Sequence, residues 1–209
     1  VRQPDTADGD QISFRGELIR KATHMVALVI PGSYYFFRLT KGEMLTIMVP
    51  VAVLMILIDI ARLCHWSFWH RFARRILSPI IREHEMAGDF TGATYILLTV
   101  CATIAMFEMP VAVAALAFII VGDSLAALVG RKFGRHRFWN KSLEGSLACL
   151  AGTLTVAALA PAIAWQVAVT GAVVATVVEA LPLGVDDNVT VPILSGLSMT
   201  LLARILGNV

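Results

Sequence analysis

The chain has 209 residues, 57% hydrophobic and 15% charged, with a net charge of +2 and a mean hydropathy of +0.76. Soluble domains carry about 25% charged residues, so the composition excludes an ordinary soluble domain. The blocked apolar runs point instead to a polytopic membrane protein. The three cysteines, Cys64, Cys101 and Cys149, match no metal or disulfide spacing and read as small apolar packing residues.

Residues 1–16 form a polar arm with Asp5, Asp8, Asp10 and Arg15, which does not read as a cleavable signal peptide. Residues 17–209 are expected to form one membrane domain. Seven hydrophobic segments follow in order: Leu18–Phe37, Met44–Leu63, Gly92–Phe107, Pro110–Val129, Leu143–Pro161, Trp165–Leu181 and Val189–Leu206. They are too long for barrel strands and lack a two-residue alternation, so the expected fold is all-α, with about seven transmembrane helices. Pro50 and Pro192 fall within or near helices as candidate kinks. The stretch from Cys64 to Glu85 interleaves Trp66, Phe68, Trp69 and Phe72 with Arg and His. It reads as an amphipathic helix on the cytoplasmic membrane face, either an anchor or a lipid gate.

With the N-terminus in the cytoplasm, 14 of the 17 Lys and Arg residues fall on the cytoplasmic side, and only Arg38, Lys41 and Arg204 fall opposite. The positive-inside rule thus predicts the N-terminus inside and the C-terminus outside. The same topology sends the suspicious polar residues to one face. Glu17, Arg20, Lys21 and His24 share one helical face by spacing. Glu83, Glu85, Asp123, Lys141, Glu144, Glu179 and Asp186 to Asn188 join them from distant parts of the chain. Ionisable residues in or beside a membrane span are costly and mark candidate sites. Asp59 reads as a partner for Arg62 one turn on.

The stretch from Val121 to Ser146 holds Gly122, Gly130, Gly134 and Gly145. Five basic residues lie in it, with no acid between Arg131 and Lys141. Glycine allows close backbone approach, and "KSLEGS" opens a helix whose N-terminus attracts anions. The loop from Gly130 to Ser142 therefore reads either as a polyphosphate cradle or as a basic loop serving topology and anionic lipid. Its glycine spacing is not that of a P-loop. A nucleoside triphosphate arrives with Mg²⁺, which takes one or two carboxylates plus phosphate oxygens. Asp123, Asp186 and Asp187 are the candidate ligands, with Glu144 and Asn188 behind them, and one Asp is a candidate to take a proton from an attacking alcohol. Asp186 and Asp187 also read as a capped turn.

Five pieces in this order resemble the CTP-dependent lipid-alcohol kinases, which comprise dolichol kinase, phytol kinase and the CTP-using diacylglycerol kinase. They are "ELIRKATHM" (Glu17 to Met25), "REHEMAGDFTGATYILL" (Arg82 to Leu98), "GDSLAALVGRKFG" (Gly122 to Gly134), "KSLEGS" (Lys141 to Ser146) and "PLGVDDNVTVP" (Pro182 to Pro192). The length looks like that of compact bacterial and phytol-kinase-like members. The resemblance implies CTP as phosphoryl donor, with Mg²⁺, and a polyprenol or dolichol, phytol or diacylglycerol as acceptor. It implies catalytic roles for Asp123, Lys141, Asp186 and Asp187, and metal contacts from the three aspartates and Glu144. The implied nucleotide contacts are Gly122, Ser124, Gly130, Arg131, Lys132, Gly134, Lys141, Ser142, Glu144, Gly145, Ser146 and Asn188. Glu17, Arg20, Lys21, His24 and Glu85 would meet phosphate or the lipid head. Expected partners are CTP, the lipid alcohol and the bilayer of a bacterial inner membrane, with a homodimer as a candidate assembly and no nucleic acid. Membrane cytidylyltransferases are the alternative, although the acidic C-terminal motif that marks them is lacking. A transporter or scramblase predicts ionisable groups spread through the membrane depth. A purely structural subunit leaves the clustered acids without a role.

Overall fold

The computed structural model describes residues 14–64, 91–160 and 162–207. Its helices are α1 (Phe14–Val26), α2 (Val29–Phe36), α3 (Lys41–Leu63), α4 (Gly92–Met106), α5 (Met109–Phe133), α6 (Leu143–Leu159), α7 (Trp165–Ala180) and α8 (Asp187–Ile205). Between α5 and α6, strands β1 (Arg137–Phe138) and β2 (Lys141–Ser142) pair antiparallel, Arg137 opposite Ser142 and Phe138 opposite Lys141. This two-residue ladder is the one departure from an all-α reading among the described residues.

Among the described residues three helices, α3, α5 and α8, are long and apolar enough to cross a membrane. Helices α4, α6 and α7 are apolar but shorter, at 15, 17 and 16 residues. At 1.5 Å per residue they reach about 22–26 Å, less than a hydrocarbon core of about 30 Å. The expected amphipathic helix from Cys64 to Glu85 lies almost wholly outside the described residues, as does Glu85 itself.

The first expected segment, Leu18–Phe37, is two helices rather than one. Pro31 has no N–H to give to the carbonyl four residues back, at Ala27, and its ring crowds that carbonyl. Helix α1 accordingly stops at Val26, and α2 restarts with Ile30 N donating to Ala27 O over three residues. By contrast, α3 and α8 continue through Pro50 and Pro192. Helix α3 starts on a capping box: Glu43 N donates to Thr40 Oγ1 (3.2 Å) and Thr40 N to Glu43 Oε2 (2.8 Å).

Helix α5 is the hub, packed against α1, α2, α4, α6, α7 and α8. Its apolar window is 61% buried, against 22% for α3. One core cluster joins Phe118 and Ile120 of α5 to Val167, Ala168 and Ala172 of α7 and Met199 of α8. A second joins Tyr34, Met44, Val100, Ile104 and Phe107 to Ala112 and Leu116. Small residues set the spacing. A Cβ on Gly196 would come within 2.5 Å of the Phe107 ring, and one on Gly122 within 2.9 Å of Cys149 Sγ. Lipid tails give helices no hydrophobic reason to associate, so close contact at small residues supplies the attraction. The outward residues of α3, among them Ile47, Val51, Leu54 and Leu57, are exposed and apolar, as a lipid-facing surface requires.

Asp59 is fully buried near the end of α3. It accepts from Arg62 Nε (3.2 Å), the expected partner, and also from Thr91 N (2.8 Å), Thr91 Oγ1 (3.0 Å) and Thr94 Oγ1 (2.6 Å). It thereby ties the end of α3 to the start of α4. Asp59→Ala leaves four donors without their acceptor and is expected to cost about 3–5 kcal/mol, read as a lower melting temperature in detergent. An unchanged melting temperature counts against this role.

Candidate functional site

Helix ends from across the chain meet around one cavity of about 430 Å³. Helix α1 supplies Glu17 and Arg20. Helix α5 supplies Asp123, Ala126, Ala127, Gly130 and Arg131, whose spacing of three and four keeps them on one face. The hairpin supplies Arg137, Asn140 and Lys141, and the first turn of α6 supplies Ser142, Gly145 and Ser146. Glu179 comes from the last turn of α7 and Asp187 from the start of α8.

The charges are laced across elements. Lys141 Nζ donates to Glu179 Oε1 (2.6 Å) and Asp187 Oδ2 (2.8 Å), joining the hairpin to α7 and α8. Burial alone lowers a lysine's pKa, but Glu179 and Asp187 outweigh it and hold Lys141 above its ordinary value, so it is an ammonium. Lys21, 2% exposed, is hydrogen-bonded to Asp123, and His24 Nε2 stands 3.8 Å from the same oxygen. Glu17 is shared between Arg20 (2.5 Å) and Arg131 (3.6 Å). Arg137 is exposed and makes no ion pair among the described residues.

The glycines act first on packing. Ser142 caps α6, its Oγ accepting from Gly145 N at 3.1 Å. A Cβ on Gly130 or Gly134 would lie 2.8 Å from that Oγ, and one on Gly145 would lie 3.0 Å from it and 2.8 Å from the Ala126 carbonyl. Three glycines thus let α5, the turn and the α6 N-terminus close on one capping hydroxyl. This also corrects the expected loop boundary: Gly130 to Phe133 remain helical, because Gly130 is where α6 approaches rather than where α5 ends.

Of the residues singled out in the sequence, Glu17, Arg20, Asp123, Gly130, Arg131, Lys141, Ser142, Gly145, Ser146 and Asp187 line the cavity. Lys21 and His24 stand against Asp123. The others lie off the lining. Ser124 Oγ donates to Ile120 O (2.6 Å), Lys132 sits over the Phe133 ring, and Gly122 packs on Cys149 and Thr153. Gly134 packs on Ser142, and Glu144 accepts from the His136 backbone and meets its ring Nδ1 (2.8 Å). Asp186 caps α8, accepting from Asn188 N (2.8 Å) and Nδ2 (2.7 Å). Glu179 carried a signal, being the only ionisable residue of α7, but had no role assigned. Arg137 is one of the five basic residues of the expected cradle, with no role of its own in the sequence reading. Nothing in the sequence marked Asn140.

Among the described residues no three His, Cys, Asp or Glu side chains form a ready metal cluster. The donor set still fits Mg²⁺ brought by a nucleotide, which needs only one or two carboxylates beside phosphate oxygens and water. Glu179 supports the fit: it is 3% exposed, and its Oε2 is buried with no hydrogen-bond donor among the described residues. Cationic side chains and the α6 N-terminus suit a polyphosphate.

The chain is 28% identical over 203 residues to an uncharacterized protein of Rickettsia prowazekii, covering 92% of this chain and 98% of that protein. It is 25% identical over 207 residues to a protein of Oryza sativa named probable phytol kinase 1, chloroplastic, covering 88% of this chain and 64% of that protein. It is 26% identical over 219 residues to CTP-dependent diacylglycerol kinase 1 of Saccharomyces cerevisiae, covering 91% of this chain and 74% of that protein. No protein-family model and no solved structure matches it. The named relatives are distant and are lipid kinases. They support the family that the five motifs resemble and, with the apolar helices, a membrane protein acting as a phosphotransferase on a lipid.

Gly145→Ala forces α6 away from the Ala126 carbonyl and is expected to cost about 1–3 kcal/mol. Gly42→Ala, where nothing lies within 4 Å, is expected not to lower the melting temperature. Equal melting of the two variants in detergent would contradict the packing role of Gly145.

Proposed function

We propose that this protein transfers the γ-phosphoryl group of CTP to the hydroxyl of a membrane lipid alcohol, a polyprenol or dolichol, phytol or diacylglycerol. The observation that carries the reading is the cavity itself. It gathers cations and carboxylates from four helices and a hairpin, in a chain whose named relatives are lipid kinases. Phosphoryl transfer asks a protein mainly for positioning and charge neutralisation, and that is what these side chains offer.

In this reading Arg137, Arg131 and Lys141, with the capped start of α6, hold the phosphates. Asp187 and Glu179 would hold Mg²⁺, which when bound would offset the charge of the phosphates. Asp123, oriented by Lys21 and His24, accepts the proton of the acceptor hydroxyl as its oxygen bonds to the γ-phosphorus. CDP leaves with the electron pair of the broken bond, and the products are CDP and a lipid monophosphate. In this reading the site faces the cytoplasm at a bacterial inner membrane, with the N-terminus inside and the C-terminus outside, an orientation that the distribution of basic residues supports.

Purified protein with a panel of lipid alcohols and γ-labelled CTP, ATP or GTP is expected to give labelled lipid with CTP. Label passing to lipid from α-labelled CTP points instead to cytidylyl transfer. Lys141→Ala and Asp187→Asn are expected to lower kcat/KM by about 10²–10³-fold, the range for removing one group that stabilises transition-state charge. Both should remain folded in detergent. Full activity in both variants would remove the cavity from the reaction.

A further inference from the structure

We infer that Lys141 is a resident cation in a divalent-cation site built from Glu179 and Asp187, and that it leaves these carboxylates for the nucleotide's phosphates when the ion arrives. The inference rests on the proposed reading and adds an exchange of cations at Glu179 and Asp187 to it.

Charge and burial carry it. Glu179 is 3% exposed at the end of an otherwise uncharged helix, a costly position for a carboxylate without countercharge. Lys141 supplies that countercharge to Oε1, and Oε2 is buried without a donor among the described residues. In the first turn of α8, Asn188 Oδ1 is a second buried acceptor without a donor among the described residues, its amide nitrogen being turned to Asp186. Acceptor oxygens left without donors are what a hard cation uses and an ammonium cannot fully serve. The charges agree: two carboxylates and one ammonium leave one negative charge, whereas a divalent ion in the ammonium's place balances both acids.

The two sides of the contact also differ in their freedom to move. Glu179 and Asp187 belong to long helices packed on each other. Lys141 sits on a two-residue strand, and its side chain is 29% exposed to the cavity on a flexible four-carbon stem. The lysine is the partner that can leave. Once released it stays beside Ser142 at the α6 N-terminus, where phosphate is favoured. The same ammonium thus keeps the acids compensated before the nucleotide arrives and serves its phosphates afterwards.

The test uses the whole protein in detergent with Mn²⁺ alone, without nucleotide or lipid, and reads free Mn²⁺ by electron paramagnetic resonance. Lys141→Met is expected to bind Mn²⁺ at least about fivefold more tightly, because it removes the competing cation. Glu179→Gln is expected to bind at least about tenfold more weakly. Unaltered protein is then treated with acetic anhydride and analysed by mass spectrometry, which requires no variant to fold. Mn²⁺ is expected to raise acetylation of Lys141 several-fold while Lys41 stays constant. Binding no tighter in Lys141→Met, unweakened binding in Glu179→Gln, or acetylation of Lys141 that ignores Mn²⁺ overturns the inference. Phosphoryl transfer without this exchange defeats the inference alone. Exchange without transfer from γ-labelled CTP defeats the kinase reading and leaves the cation site.

Discussion

Lys141 holds Glu179 and Asp187 at 2.6 and 2.8 Å, and the organisation of the cavity follows from that contact. Apolar packing within the bundle is non-directional, and Ala- and Gly-rich helices can slide past one another at small cost. A charge shared by three elements cannot be moved so cheaply, because separating it strands a buried carboxylate. The lysine therefore sets the register of the hairpin against the end of α7 and the start of α8. The Lys21–Asp123 contact does the same between α1 and α5. The elements that bring charge to the cavity are thus tied by ion pairs to other elements, whereas Arg137 lines the cavity with no ion pair among the described residues.

The second constraint is steric. Ser142 Oγ occupies the space that side chains would fill at Gly130, Gly134 and Gly145. The cap on α6, the turn after α5 and the α5–α6 contact are consequently one feature. A glycine spacing that suggests backbone laid against phosphate is satisfied first by backbone laid against backbone. Gly130 and Gly145 still line the cavity, so close packing and an open approach for a ligand coexist at those two positions.

The apolar runs located α3 through α8 within a few residues, since a stretch that must hide its backbone polar groups has little choice but helix. The break between α1 and α2 was harder to read, because hydropathy is blind to the missing N–H of Pro31. Helix α5 runs four residues past its expected end, because Gly130 meets Ser142 and Gly145, from a part of the chain that no local pattern includes. The shared side of the polar groups was legible from the basic residues, and the structure brings Glu17, Asp123, Lys141 and Asp187 around one cavity. The twin aspartates were not separable by sequence. Though consecutive, they part at the start of the helix: Asp186 uses its carboxylate to cap α8, and Asp187 lines the cavity. Glu179 was visible as an acid in an apolar helix, but its pairing with Lys141 spans 38 positions and belongs to tertiary structure.

In the proposed reading, helix α1 would let a water-soluble donor and a lipid acceptor share one site. Glu17 and Arg20 line the cavity, while the residues between them, Leu18 and Ile19, are exposed and apolar, as are Met25 and Val26 further along. The helix is short, and its two faces lie within a single turn of each other. A hydroxyl carried on a hydrocarbon chain along the outer face of α1 therefore comes within one helix diameter of the cations that would hold a phosphate. A site deeper in the bundle would require the nucleotide to enter hydrocarbon. A site farther out would require the lipid to leave it. The contacts of Lys141 with Glu179 and Asp187, at the end of α7 and the start of α8, avoid both costs and keep those acids compensated.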